Sequence, residues 1–372
     1  MRRLLILLMA LAMVVAACGG DEGTDDTEPD GDTTTTEAAG GEGDDDGDGG
    51  DAGGSLLDVV RDRGTLACGV NETLVGFGFR DSGGEFVGFD VDLCRAVAAA
   101  VLGDATAVEF SPLTAAARFE AVSSGQVDLL SRNTTWTQSR DTDLGLDFGP
   151  TTYYDGQQVM GSSELFSNDS TIADLDQATV CTNAGTTTEL NIQEAANAEG
   201  ITITLQTFED FNIVMENFEA GNCDAVTTDG SGLVARKFQA GDAGTDWVIF
   251  PEVPISKEPL GPAWAQGDSA WGDVITWTVF AMMIAEEQGI TSANVDDFLA
   301  DPPNGEVARL LGAAEDEVQS AMGLPADAFY QVISQVGNYG ELFEEHLAPL
   351  GLNRGLNALF TDGGIIYAPP AR

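Results

Sequence analysis

The hydrophobic pattern changes character three times along the chain. An unbroken apolar run from Leu4 to Ala17 follows Arg2 and Arg3. A stretch with almost no apolar content runs from 19 to 54, and from residue 66 short apolar runs alternate with amphipathic segments. LACGV reads as a strand. Asp90 opens a helix with the stripe Val91, Cys94, Val97, Ala98 and Val101, stopped by Gly103, and VEF gives a second strand. Pro112 starts a helix closed by Gly125, and VDLL is a third strand, completing a βαβαβ unit of the parallel-sheet kind. A second unit follows: ATVCT as strand, TTTELNIQEAANAEG as a helix with Thr186 and Glu189 spaced as a capping box, ITITL as strand, DFNIVMENFEAG as helix and CDAVTTD as strand. DFGPTTYYDGQQVM lies between the units and WVIFPEVPISKEPLGPAWAQGD after them, both extended and broken by Gly and Pro, suited to crossing between two lobes. Helices are expected from Trp271 to Gln288, around Glu306 to Leu311, and from Asp327 to Leu347, packing back on the first lobe.

The N-terminal run is short for a bilayer span and has the basic start of a secretory signal. It ends in Val15, Ala16, Ala17 and Cys18, which resembles the lipobox whose cysteine is acylated in bacterial lipoproteins. Residues 19–54 carry fourteen acidic side chains and no basic one, so they read as a tether that cannot bury enough surface to fold. At ~5 to 6 Å times the square root of its length, such a tether spans on the order of 35 Å, more with charge repulsion.

Composition narrows the chemistry. The net charge of -47 argues against nucleic acid, which calls for basic stripes. The single histidine, His346, excludes multi-histidine metal centres; it reads as a helix-surface residue, and no GxSxG nucleophile motif accompanies it. No cofactor is implied. Only two lysines occur, Lys237 and Lys257. With Cys18 set aside, four cysteines allow three pairings, and we favour Cys68 with Cys94 and Cys181 with Cys223, each within one lobe.

Polar residues gather where an α/β sheet presents its strand ends. LLSRNTTWTQSRDTDLGLDFG places Asn133, Thr135, Thr137 and Arg140 just after the third strand, at the crevice where small ligands are met. Gly185, Thr186 and Thr187 stand at a helix mouth with free backbone N–H groups, and Asp229 ends a strand. A planar cation facing a carboxylate suits a free α-amino acid, a zwitterion. Blander readings exist: Arg140 pairing with Asp141 or Asp143 on the surface, Asp229 acting as an N-cap before GSG, Thr186 merely capping its helix, Trp136 and Phe77 as wall or core.

The stretches GFDVDLCRAVAAAVLGDA, RFEAVSSGQVDLLSRNTTWT, RDTDLGLDF, ATVCTNAGTTTELN, CDAVTTD, ISKEPLGPA, VGNYGELFE and GGIIYAPP resemble solute-binding proteins of the type II periplasmic-binding-protein fold. Within that fold the chain is most similar to the general L-amino-acid-binding proteins of ABC importers of the polar amino acid class. The resemblance implies an α/β, two-lobed fold with two hinge crossings and a C-terminal helical extension. Its parts are a signal over 1–18, a tether over 19–54, the first part of lobe 1 over 55–152, lobe 2 over 153–252, and the second crossing with the return to lobe 1 over 253–372. It further implies that Arg140, Thr135 and Thr187 hold the ligand α-carboxylate, that Asp229 takes the ammonium, and that Asn71, Phe77, Arg132 and Asn133 shape the side-chain pocket. The expected partners are an L-amino acid, a permease and, through Cys18, the outer face of the cell membrane. Rival expectations are an exported prephenate or arogenate dehydratase-like enzyme, with Glu189 or Glu72 as general acid, and an amino-acid sensory module.

Overall fold

A computed structural model describes residues 54–315 and 318–372. Cys18, the signal segment and nearly all of the tether therefore lie outside the described residues. Two five-stranded sheets are present. In the first, Val108–Pro112, Leu66–Val70 and Leu129–Leu130 run parallel, and Ala263–Ala265 and Leu146–Phe148 complete the sheet, Ala263–Ala265 pairing antiparallel with both its neighbours. The second repeats this order with Thr204–Phe208, Thr179–Asn183, Ala225–Asp229, Gln157–Ser162 and Trp247–Phe250. Each sheet with its helices forms one lobe.

The lobes share a device that secures the central strand. Asp128, just before the third strand of the first sheet, accepts the Ala67 N–H at 2.7 Å, and Asp224 accepts the Thr179 N–H at 2.7 Å in the second. A donor that the ladder leaves over at each strand start is thereby satisfied inside the fold.

Two segments cross between the lobes. Tyr153–Asp155 and Glu258–Leu260 pair antiparallel as a two-stranded ribbon, and Thr135 forms an isolated bridge to Leu260. Both βαβαβ units and both crossings match the sequence expectation, as do the disulfides Cys68–Cys94 and Cys181–Cys223.

The helix Phe89–Leu102 is buried on nearly every side because the C-terminal helices cover the face that the sheet does not. Asp90 does not open it. Gly88 holds that position at φ 135°, where a Cβ would lie 2.3 Å from the Phe77 carbonyl oxygen.

Three other elements depart from expectation. Pro112 ends an edge strand in register with Val70, and the helix after it covers only Arg118–Ser123, leaving Leu113 to Ala117 as loop. ITITL begins too early: the Ile201 N–H closes the preceding helix on the Ala196 carbonyl, so the strand starts at Thr204. The expected helix from Asp327 to Leu347 is two, Ala328–Gln335 and Tyr339–His346, divided at Gly337 (φ 108°) and restarted by an Asn338–Glu341 capping box. His346 is mostly buried, with Nε2 2.6 Å from Asp92 on the Phe89–Leu102 helix, instead of lying free on the surface. No helix of the described residues is long and apolar enough to cross a membrane.

Candidate functional site

The polar run after Leu130 folds across the carboxyl ends of the parallel strands. Asn133 sits at φ 32°, a left-handed conformation, and its N–H donates to Asp90 Oδ2 at 2.6 Å. Burial pushes the Asp90 carboxyl up to about 7, against the lowering pull of that bond and of Arg132. The Trp136 N–H donates to the Pro259 carbonyl at 2.8 Å, stitching the loop to the hinge ribbon. Thr137 caps the short helix Gln138–Thr142, accepting the Arg140 N–H at 3.3 Å.

Arg140 turns inward. It is 6% exposed, its Nη1 donates to the Thr135 carbonyl at 2.8 Å, and its guanidinium lies 5.0 Å from the Phe119 ring centre. Asp141 is engaged by the Trp136 indole N–H at 2.7 Å, so the surface pairing with Arg140 does not form. Burial lowers the Arg140 pKa while Glu258 and Asp229 pull it back up.

In lobe 2, Thr186 caps the helix Thr187–Glu199 by accepting the Glu189 N–H at 3.1 Å. The reciprocal bond of the expected capping box goes one residue further out, the Glu189 carboxylate accepting the Gly185 N–H at 2.7 Å. Asp229 precedes the helix Gly230–Ala240 without capping it, which disposes of the N-cap reading. Its carboxyl is 7% exposed, and burial, then Asp155 and Glu258, push its pKa well above the carboxylate range, against the pull of Arg118 and Arg140.

A cavity lies between the lobes. Of the residues expected to meet ligand, Asn71, Arg132, Asn133 and Thr135 line it from lobe 1, and Thr186, Thr187 and Asp229 from lobe 2. Three do not reach its wall: Arg140 lies behind Thr135, Thr137 is spent on capping, and Phe77 is fully buried, edge-on to Tyr153 and Phe89. Thr135 and Thr187 also point their hydroxyl protons elsewhere than expected. Both donate to Glu258 Oε2, at 2.6 and 2.8 Å.

Four charged residues went unread in the sequence. Arg118 lines the cavity at 3% exposure; its Nη1 makes only long contacts, 3.4 to 3.5 Å, to Arg132 O, Asn133 O and Thr134 Oγ1, and its Nε is buried without a partner. Burial, with repulsion from Arg140 and Arg132, holds its pKa well below the usual arginine range. Arg236, from lobe 2, also lines the cavity; its Nη2 donates across the cleft to Thr73 Oγ1 at 3.3 Å, and its Nε is likewise unpartnered. Asp155 and Glu258 come from the two hinge strands. Arg118 stood inside an expected helix and Glu258 inside an expected linker, and neither segment carried a spacing signal. Their significance lies in burial, which a lone sequence does not display.

Arg118 and Arg132 on the lobe 1 wall and Asp229 on the lobe 2 wall suit a small guest that carries both charges. No group of His, Cys, Asp and Glu among the described residues is arranged to hold a metal ion.

Comparison with known proteins agrees with this geometry. The sequence profile described as bacterial extracellular solute-binding proteins, family 3, matches residues 66–165. The glutamate/glutamine/aspartate/asparagine-binding protein BztA of Rhodobacter capsulatus is 47% identical over 324 residues, 86% of this chain and 94% of its own length. The general L-amino acid-binding periplasmic protein AapJ of Rhizobium johnstonii is 46% identical over 325 residues, with the same coverage of 86% and 94%. Among solved structures, an ABC transporter periplasmic binding protein from Brucella ovis with glutathione bound superposes with a TM-score of 0.82 at 45% identity, covering 86% of this chain and 100% of that one. On sequence likeness sustained over nearly the whole of such relatives, and on two lobes enclosing a charged cleft, the chain belongs to the bacterial extracellular solute-binding proteins, family 3.

Proposed function

We propose that this protein captures a free L-amino acid between its lobes and presents the closed form to an ABC permease, held at the outer face of the cell membrane by a lipid on Cys18 and the tether over residues 19–54. The observation that carries the reading is Asp229: a carboxylate 7% exposed, with no capping bond to its helix, on the wall of a cavity that Arg118 and Arg132 also line. Burying an unmatched charge is costly, and a guest ammonium relieves it. The guest carboxylate is assigned to Arg118 on the cavity wall, with Arg140 adding its charge from behind Thr135, and the guest side chain to the space bounded by Asn71, Arg132 and Asn133. The names of the Rhodobacter and Rhizobium relatives support amino acids as the ligand class.

Ligand bridging both lobes favours the closed arrangement, and only that arrangement aligns both for the permease. Isothermal titration with the twenty amino acids, and with glutathione as the guest of the Brucella protein, tests the proposal; silence from all of them rejects it. The dehydratase reading is not favoured: Glu189 is engaged by Gly185, and Glu72, though on the cavity wall, is exposed with Arg80 3.4 Å away.

A further inference from the structure

Glu258 lies on the second hinge strand, 1% exposed and outside the wall of the cavity. Its carboxylate is surrounded by donors drawn from every part of the cleft. Oε2 accepts from Thr135 Oγ1 of lobe 1 at 2.6 Å and from Thr187 Oγ1 of lobe 2 at 2.8 Å. Oε1 accepts from Asn191 Nδ2 at 2.8 Å and from Ser256 Oγ at 2.6 Å. Ser256 shows the polarity at work: its oxygen accepts the Gln157 N–H at 3.2 Å while its proton goes to Glu258.

A hydroxyl has one proton and two lone pairs, and an ionised carboxylate only accepts. Thr135 and Thr187 therefore have no proton left for a guest's carboxylate. Any further hydrogen bond these hydroxyls make to a guest in the cavity they line is through oxygen lone pairs. Asp229 lines the same cavity as both threonines, and Glu258 is near enough to disfavour the charged form of Asp229.

We infer that Glu258 is a positioning residue for ammonium recognition: by taking the protons of Thr135 and Thr187 it fixes both hydroxyls as acceptors, one from each lobe, for the N–H bonds of a guest's α-ammonium. This rests on the reading of the protein as an amino-acid receptor and deepens it, naming what selects an amino acid over a plain carboxylic acid. It also reassigns the two threonines, which the sequence resemblance had placed on the guest's carboxylate.

The test uses pairs differing only in the α-ammonium, L-glutamate with glutarate and L-leucine with 4-methylpentanoate, titrated into the full chain and into Glu258→Gln. The wild type is expected to prefer the amino acid of a pair. The variant, whose amide donates as well as accepts, is expected to lose about tenfold or more of that preference, with affinity for the desamino partner held. Equal weakening of both members, or an unchanged ratio, overturns the inference, since a purely structural role predicts one or the other. Should Glu258→Gln lack a cooperative thermal transition, Thr135→Val and Thr187→Val carry the same comparison: they delete the acceptors themselves, and an unchanged ratio in both is equally fatal. A wild type silent to all twenty amino acids and to glutathione overturns the receptor reading and this assignment with it, an outcome distinct from binding without discrimination.

Discussion

The side chain of Asp90 holds the backbone N–H of Asn133 at 2.6 Å, joining the first turn of a lobe 1 helix to the left-handed residue at the floor of the cleft. Because burial lifts this carboxyl to about 7, the folded state holds its proton more tightly than the unfolded chain does. Stability from this group is then fully present below the unfolded pKa and is lost as pH rises toward the folded one. Asp90→Asn keeps an acceptor for Asn133 and removes the titration. Melting temperature between about pH 5 and pH 8 is expected to fall less steeply in the variant; parallel slopes for the two proteins would contradict the assignment.

Arg140 and Arg118 approach the cleft from different elements, one behind Thr135 and one on the cavity wall. Replacing Arg140 by Ala is expected to weaken amino-acid binding by more than about 2 kcal/mol, as when one member of a buried charge pair is truncated. Arg118→Ala is expected to weaken it too, alike for ligands with and without a second carboxylate, because Arg118 is assigned to the carboxylate that every amino acid carries. Calorimetric affinities for L-glutamate and L-glutamine in both variants check this, and wild-type values throughout would refute it.

Binding should also move a proton. Asp229 faces Asp155, Glu258, Arg118 and Arg140, and its raised pKa lets it take up a proton more readily than an ordinary carboxyl, a proton that an arriving ammonium displaces. Asp155, bonded to Ser231, is pushed by burial up to about 6 and adds its own titration. Affinity is therefore expected to drop on acidification, with proton release at low pH, and Asp229→Asn to abolish most of both effects. Titrations in buffers of unequal ionisation enthalpy measure the proton count directly; a count of zero at every pH would exclude the linkage.

Each disulfide closes a loop within one lobe, with sequence separations of 26 and 42 residues. On the chain-entropy account each stabilises by about 3.5 to 4 kcal/mol. Cys181→Ser with Cys223→Ser should lower the denaturant midpoint accordingly while leaving amino-acid affinity within a few-fold, because neither cysteine lines the cavity. Alkylation of four thiols in unreduced protein would show that the bonds are absent in solution.

The alternation of apolar runs with capped amphipathic segments made both βαβαβ units legible, because each strand and each helix carries its own local signal. Errors arose where a residue served two elements. Ile201 fits a strand pattern but is spent on closing a helix, and Pro112 resembles a helix start while ending an edge strand. Val332 and Leu342 continue one apolar stripe across a break that Gly337 and Asn338 impose. The cleft was legible where hydroxyl and amide residues cluster in sequence, as in NTTWT and GTTTE. It was illegible at Arg118, Arg236 and Glu258, whose partners are distant along the chain and whose neighbours look like ordinary helix or linker.

Tyr153–Asp155 and Glu258–Leu260 are hydrogen-bonded to each other, so the two connections between lobes form a single strip. Such a strip flexes across its width far more readily than its strands slide past one another. Motion about it is thus a swing with one preferred axis, and Thr135, riding on Leu260, stays with the pivot throughout. The lobe 1 wall that Thr135 belongs to is thus a platform held at the pivot, and lobe 2 is the half that sweeps.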